Sequence, residues 1–461
     1  MNKNSLILDS RVTGLLWFLI PLFLSSCLVG SKYQVPELSS PERYSTVITN
    51  SNVSDSIANI SWFELFGDSV LNSYIRTAVG NNCDLKIARL RLEQAGINYS
   101  LSKSNQLPSI GYKASASLND PASDVFQTVG TLSWEIDFWG RLRYAKESAF
   151  NQMLAGEEGQ NIILTTVASN VAVLYFQLRD LDNRREIVNN TIRIRNEYFE
   201  MIKSRFLGGE TAELDMLQAA QQLELSKATL ASIERELGAT ERSLNILMGG
   251  IPSNLSRGAT NSEQKIMVSI PVGLPSDLVE NRPDVRQAGF SLKAQYAQIG
   301  IAQAQRLPTI NLTGALGFSS VELSSLFKSG SDYSSFSGAL LGPIFEFGKN
   351  RKRVEYQKKE AEIAAETYLK TWLNALADVE NALSSIETYE RESKARSAQA
   401  TYSEKSLELS RARYTAGYTD YTEVLIAEQN LLESELQASS VRAKQLSAVV
   451  GLYKALGGGW R

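Results

Sequence analysis

Two hydrophobic periods alternate along this chain, and the alternation happens twice. Ile110, Tyr112, Ala114, Ala116 and Leu118 alternate with Gly111, Lys113, Ser115, Ser117 and Asn119. Phe126, Leu132, Trp134, Ile136 and Phe138 do so with Thr131, Ser133, Glu135 and Asp137. In the second half, Ile310, Leu312, Gly314, Leu316 and Phe318 alternate with Asn311, Thr313, Ala315, Gly317 and Ser319. A period of two predicts strands with one apolar and one polar face. A fourth strand is expected at about 335–346, less cleanly patterned and carrying Pro343. Between these segments the period is helical. Ala365, Trp372, Val379 and Ile386, with Leu369, Leu376 and Leu383, form two seven-residue series, the seam of a coiled coil.

Helices are expected at about 84–106, from Arg141 to about Phe206, and at about 213–248. They return at about 284–306, from Lys349 to about Tyr414, and at about 421–456. The long member has about 65 residues, or roughly 97 Å at the α-helical rise. The two shorter ones total about 59 residues, or roughly 90 Å by the same rise. The short pair can therefore stack end to end beside the long helix. Lengths so far above the globular average imply a tube or bundle.

The recurrence is a duplication. Leu107-Pro108-Ser109-Ile110 returns as Leu307-Pro308-Thr309-Ile310, and Asp84, Ala88 and Leu92 as Asp284, Ala288 and Leu292, all at an offset of 200. Gly140, Arg205, Gly209, Thr211 and Gly249-Gly250 return as Gly348, Arg413, Gly417, Thr419 and Gly457-Gly458, at an offset of 208. The 8 extra residues lie between Pro308 and Gly348. A unit this long is no solenoid repeat, so one architecture has been made twice. The constant offset covers helices that must match in length. The slip fits an outward-facing hairpin loop, where insertion is cheap.

Strands of about ten residues suit a transmembrane barrel wall, and equally an antiparallel sheet on a soluble core. Four strands cannot close a barrel, and lipid does not tolerate open sheet edges. A membrane role therefore requires strands from neighbouring chains.

Composition narrows the chemistry. The 461 residues are 43% hydrophobic and 21% charged with a net charge of -3, which gives no basic footprint for nucleic acid. There is no histidine, which removes the commonest general base and metal ligand. Two cysteines, Cys27 and Cys83, cannot build a metal cluster, and no catalytic residue, metal site or cofactor is expected. Lys3 and Arg11 precede an apolar run from Val12 to Leu24, too short to span a bilayer and typical of a signal peptide. It ends in Leu24-Ser25-Ser26-Cys27, which resembles the lipobox of bacterial lipoproteins and makes Cys27 the candidate lipidation site. Leu28 behind it favours outer-membrane sorting.

Further motifs sharpen the picture. Gly30-Ser31-Lys32-Tyr33-Gln34-Val35-Pro36 follows Cys27, with Ser31 where a proline is usual. Trp62 to Asp68, Asn281-Arg282-Pro283-Asp284 and the ending Leu452 to Trp460 complete the set. In this order around a duplication, the chain resembles the TolC-type outer-membrane efflux ducts, in the lipoprotein branch typified by OprM. The resemblance implies an α+β membrane protein, with four transmembrane strands and a long helical barrel contributed per chain. It implies a homotrimer with a twelve-stranded barrel in outer-membrane lipid above a periplasmic α-barrel. Its partners would be a periplasmic adaptor and an inner-membrane transporter of the RND type, which supplies the energy.

Under that resemblance the domains are a signal peptide (1–26), an anchor and equatorial segment (27–83), a first repeat (84–250), an equatorial connection (251–283), a second repeat (284–458) and a tail (459–461). The helix-helix turns carry Arg205, Phe206, Gly209 and Thr211, and Arg413, Tyr414, Gly417 and Thr419. A basic last turn and a left-handed glycine are capping features, and such a turn also resembles the family's adaptor-docking tips. The periplasmic aperture would fall at Thr422, Glu423, Ile426, Glu428 and Gln429. Ile426 occupies the family's usual acidic position and Gln429 a basic one, so a mouth held by apolar and hydrogen-bonding contacts is expected. An acidic ring would have to come from Glu428, Glu423 or Asp420. Trp134, Phe138, Trp139, Tyr112 and Phe318 are candidate interface aromatics.

Two other classes compete. A structural coiled-coil envelope lipoprotein would not interrupt its helices twice with strands. An envelope hydrolase would need a nucleophile and base that the chain lacks. Six methionines and no histidine speak against a dedicated copper or silver path.

Overall fold

The structure, a computed structural model, describes residues 66–118, 123–264 and 281–459. Cys27, the signal peptide, the Gly30–Pro36 motif and Trp460 lie outside the described residues. The elements run α1 Ser69–Asn81, α2 Cys83–Ser104, β1 Ser109–Ser117, β2 Val125–Ile136, α3 Arg141–Leu207 and α4 Glu213–Leu247. They continue as α5 Pro283–Ala304, β3 Thr309–Ser320, β4 Asp332–Leu341, α6 Lys349–Thr415 and α7 Tyr421–Ala455. The repeats match in length: α2 and α5 have 22 residues each, α3 and α6 have 67, and α4 and α7 have 35.

Two compact units form. One has its described residues within 91–157 and 287–370, and the other within 66–90, 158–286 and 371–459. The first holds an antiparallel sheet in the order β1-β2-β3-β4. Its registers put Ile110, Leu132, Gly314 and Phe336 in one row and Tyr112, Gly130, Leu316 and Ser334 in the next. Gly111, Thr131, Ala315 and Ser335 share the opposite face. The expected apolar and polar faces therefore coincide across all four strands. Ile110, Tyr112, Leu316, Phe336 and Leu340 are exposed on the apolar face. Among the described residues, β1 and β4 have no strand on their outer sides.

Strand β4 corrects the sequence expectation of 335–346. It ends at Leu341, before Pro343, because proline has no N–H for the ladder. The registers also locate the extra residues. Ser117 pairs with Val125, and their counterparts Gly317 and Tyr333 pair with each other. All 8 additional residues thus lie at the distal end of the second hairpin, where a 3₁₀ turn covers Leu323–Ser325. At the other end of the sheet, the Trp134 indole donates to the Gln106 carbonyl at 3.0 Å and Trp139 to that of Pro308 at 2.7 Å. Arg141 grips Glu135 with two bonds of 3.0 and 2.6 Å, while Asp137 accepts from the first amides of α3.

The second unit is helical. In α6, whose residues up to 370 belong to the first unit, the buried seam is Tyr368 there and Trp372, Ala375, Val379, Leu383 and Ile386 in the second unit, with spacings of four and three. The seam keeps Trp372, Val379, Leu383 and Ile386 as expected. Two positions shift by one residue, from Leu369 and Leu376 to Tyr368 and Ala375, since the two leucines are only half-buried, and Ala365, also half-buried, drops out. Gly249 and Gly457 adopt φ of 71° and 79° after α4 and α7. A Cβ on Gly249 would collide with the carbonyl oxygen of Asn81 and one on Gly457 with that of Asn281, so the duplicated glycines let α4 and α7 close against the chain leading into α2 and α5. Asp68 caps α1 through the Val70 and Leu71 amides and also accepts from the Tyr175 hydroxyl and the Gln264 amide, both at 2.7 Å. Burial works against the Asp68 carboxylate, but these four donors outweigh it and hold its pKa below the ordinary value.

Candidate functional site

The turns after α3 and α6 are the same motif twice. Gly209 donates to the Phe206 carbonyl and Glu210 to that of Arg205; Gly417 donates to Tyr414 and Tyr418 to Arg413. This pair of bonds is a Schellman cap, which places the C′ residue in left-handed geometry. Gly209 and Gly417 have φ of 74° and 77°, where a Cβ would be strained. The threonines close each loop from the other side. Thr211 donates to Asp215 at 2.6 Å and Thr419 to Glu423 at 2.5 Å. Sequence symmetry thus becomes two rigid tips of equal backbone geometry.

The tips sit on a shared core. Ile202 of α3, Ala219 of α4, Leu407 of α6 and Tyr421, Val424, Leu425 and Ala427 of α7 form one buried cluster, flanked by Phe199, Met216, Tyr414 and Leu431. Both repeats contribute, so the tips are fixed against one another within this unit.

The five aperture candidates separate onto different faces of α7. Thr422, Ile426 and Gln429 are exposed at spacings of four and three, hence on one face. Glu423 folds back into its own tip, bonded to Thr419 and Ser410 and paired with Arg413 at 3.2 Å. Glu428 corrects the expectation of an available acid. It is 5% exposed, because it lies four residues from Val424 and Leu432 on the buried face. It supplies neither an acidic ring nor a solvated helix charge.

Glu428 instead is shared by two guanidiniums. Arg411 donates to its Oε1 at 2.9 Å and stacks over the Tyr198 ring, and the Arg195 Nε lies 3.5 Å from Oε2. Arg195 is 3% exposed. It also donates to the Gln222 carbonyl at 2.9 Å, the Ser226 hydroxyl at 2.7 Å and Gln429 Oε1 at 3.4 Å. Burial pulls the Arg195 pKa down and the Glu428 charge opposes the fall. The Tyr421 hydroxyl is pushed well above its ordinary range by burial and then by Glu428. One arginine of the first repeat thereby ties α3, α4 and α7 together just above the tips.

Sequence reasoning missed Arg195 and Arg411. The signal was present: Leu181, Val188, Arg195 and Ile202 are buried at seven-residue spacing, so a cation occupies a coiled-coil seam position. Beside this centre lies a groove of about 710 Å³ lined by Thr191, Ile194, Tyr402, Leu407, Leu431 and Glu435 among others. Burial, and then the charge of Glu404, raises the Glu435 pKa.

Comparison with known proteins places this geometry. A family model described as outer membrane efflux protein matches residues 74–250 and 274–458. The solvent efflux pump outer membrane protein SrpC of Pseudomonas putida is 32% identical over 409 residues, covering 86% of this chain and 87% of SrpC. The cation efflux system protein CusC of Escherichia coli (strain K12) is 28% identical over 452 residues, covering 96% and 99%. Among solved structures, the outer-membrane channel OprN superposes with a TM-score of 0.87 at 26% identity, covering 94% of this chain and 100% of that one. The open state of the Neisseria gonorrhoeae MtrE outer membrane channel gives 0.86 at 27%, covering 94% and 99%.

Proposed function

The chain belongs to the outer membrane efflux protein family and is an efflux channel of the outer membrane; from that premise we propose how its parts serve export. Three copies close one twelve-stranded barrel, β4 of each pairing with β1 of the next. The observation that carries this is the four-stranded sheet with an exposed apolar face and two unpaired edges. Its polar face lines the passage. Cys27 carries the lipid that anchors each copy. The tips at Gly209 and Gly417 receive a periplasmic adaptor, which joins the channel to an RND-type inner-membrane transporter. The chain performs no chemistry on its cargo, and the transporter supplies the energy.

The cargo is small toxic molecules. Relatives are named for solvents, toluene, cations and antibiotics, and a wide duct sorts by size and charge rather than identity. The periplasmic aperture is held by Thr422, Ile426 and Gln429, the exposed face of α7, with Gln429 steadied by its bond to Arg195. Purified protein should run as a heat-modifiable trimer and conduct in planar bilayers; a monomer without conductance would sink the proposal. Ile426→Ala should raise the closed-state conductance, and an unchanged value removes the aperture from this face. Mass spectrometry should find acyl chains on Cys27 and none in Cys27→Ser.

A further inference from the structure

The two tips share a backbone but differ in what they present. Leu207, Leu214 and Leu217 of the first tip are 76%, 63% and 55% exposed. At the offset of 208 their counterparts are Thr415, Thr422 and Leu425, two of them polar and the third 8% exposed. The acids differ too. Glu210 and Glu213 of the first tip are exposed, and neither side chain has a hydrogen bond or ion pair among the described residues. Tyr418 and Tyr421 stand in their places.

The remaining charges follow one physical rule. Glu423 reaches both Thr419 and Arg413, which neutralises that arginine and leaves the exposed Asp420 as the second tip's one carboxylate without a partner among the described residues. Asp215 is one methylene shorter and is held by Thr211, so Arg205 finds no acid among the described residues. The unpaired groups of the first tip are thus two carboxylates and one guanidinium around three leucines. The helix dipole of α4 accounts for Glu213 in its first turn, but not for Glu210 outside the helix or for the leucines. Apolar side chains this exposed beside unpaired charge are the signature of a surface that a partner covers.

We propose that the two tips are unequal docking points. The first tip is the main seat for the adaptor, engaging a helical-hairpin turn that offers an apolar side chain and a cation. The apolar residue covers Leu207, Leu214 and Leu217, and the cation pairs with Glu210 and Glu213. The second tip contributes hydrogen bonds from Tyr418 and its backbone and the single carboxylate of Asp420. This inference rests on the reading of the tips as adaptor-docking points.

The test uses the full detergent-solubilised trimer and a stapled helical-hairpin peptide with Arg and Leu at its turn. A photoreactive benzoylphenylalanine is placed at position 214 or at its counterpart 422. Crosslinking to the peptide should occur from 214 and not from 422. Affinity should fall about tenfold in Glu210→Lys/Glu213→Lys, and similarly at high salt, which screens exposed pairs. A peptide with Glu in place of Arg should bind the lysine variant better than the wild type. Trimer migration on gels verifies that each variant folds, and Leu214→Ser, which leaves every charge in place, should also weaken binding. Equal crosslinking from 214 and 422 overturns the inequality while leaving docking intact. Crosslinking from neither position overturns the docking reading itself. A crosslink from 214 to another copy of the channel shows the leucines to be a trimer contact and overturns the proposal.

Discussion

Glu428→Gln should be the most damaging isosteric change near the tips. The carboxylate is 5% exposed and is shared by Arg195 and Arg411. Removing its charge leaves Arg195, itself 3% exposed, with only neutral partners at Gln222, Ser226 and Gln429. Breaking a buried pair in this way costs about 3–5 kcal/mol, since the surviving charge stays out of water. Arg411 is less exacting because its side chain is 25% exposed and stacks on Tyr198, so Arg411→Met should cost about 1 kcal/mol. Hydrogen exchange on the solubilised trimer reads the difference locally. At about 1.4 kcal/mol per factor of ten, amide protection around Ile202, Ala219 and Val424 should fall roughly 100- to 5,000-fold in Glu428→Gln, with the sheet amides unchanged. Arg195→Met/Glu428→Met replaces the pair by apolar groups of similar size and should recover most of the loss. A loss below about tenfold in Glu428→Gln, or one no larger than in Arg411→Met, would refute the view that Arg195 depends on this one anion.

Gly457→Ala forces a Cβ against the Asn281 carbonyl at positive φ, and should cost about 2–3 kcal/mol in a thermal unfolding series on the trimer, with Gly249→Ala close behind. Asp68→Asn removes a carboxylate whose pKa is depressed in the fold by its donors, so its contribution is complete above the unfolded value and is lost as pH falls through the folded one. The variant should be about 1.5–3 kcal/mol less stable at pH 7, with the gap closing towards pH 3. Glu435 has the opposite sign. Burial and Glu404 raise its pKa, so the charged form weakens the fold above the unfolded pKa, and Glu435→Gln should raise the melting temperature at pH 7 but not at pH 4.

The sheet and the helices were legible because each rests on a local period. Alternation at Ile110–Leu118 and Ile310–Phe318 is a property of neighbouring residues, and the registers align it across four strands. The tips were legible for a related reason: Gly209 and Gly417 answer to a local φ requirement that duplication displays twice. Glu428 was not legible as a buried acid, because its role depends on Arg195, which lies more than two hundred residues away on another helix. Ala220 fills the equivalent place in the first repeat and Ser403 the place equivalent to Arg195, so the pair has no internal copy to advertise it. The same logic explains the tip asymmetry. Duplication preserves what the backbone needs and frees the side chains that face outward, so whatever departs from symmetry while staying exposed is shaped by something other than folding. Thr211 and Thr419 obey the symmetry and close their own loops; Leu207, Glu210 and Leu214 break it in the open. A residue that breaks symmetry inside, such as Arg195, instead marks where one repeat has been made to hold the other.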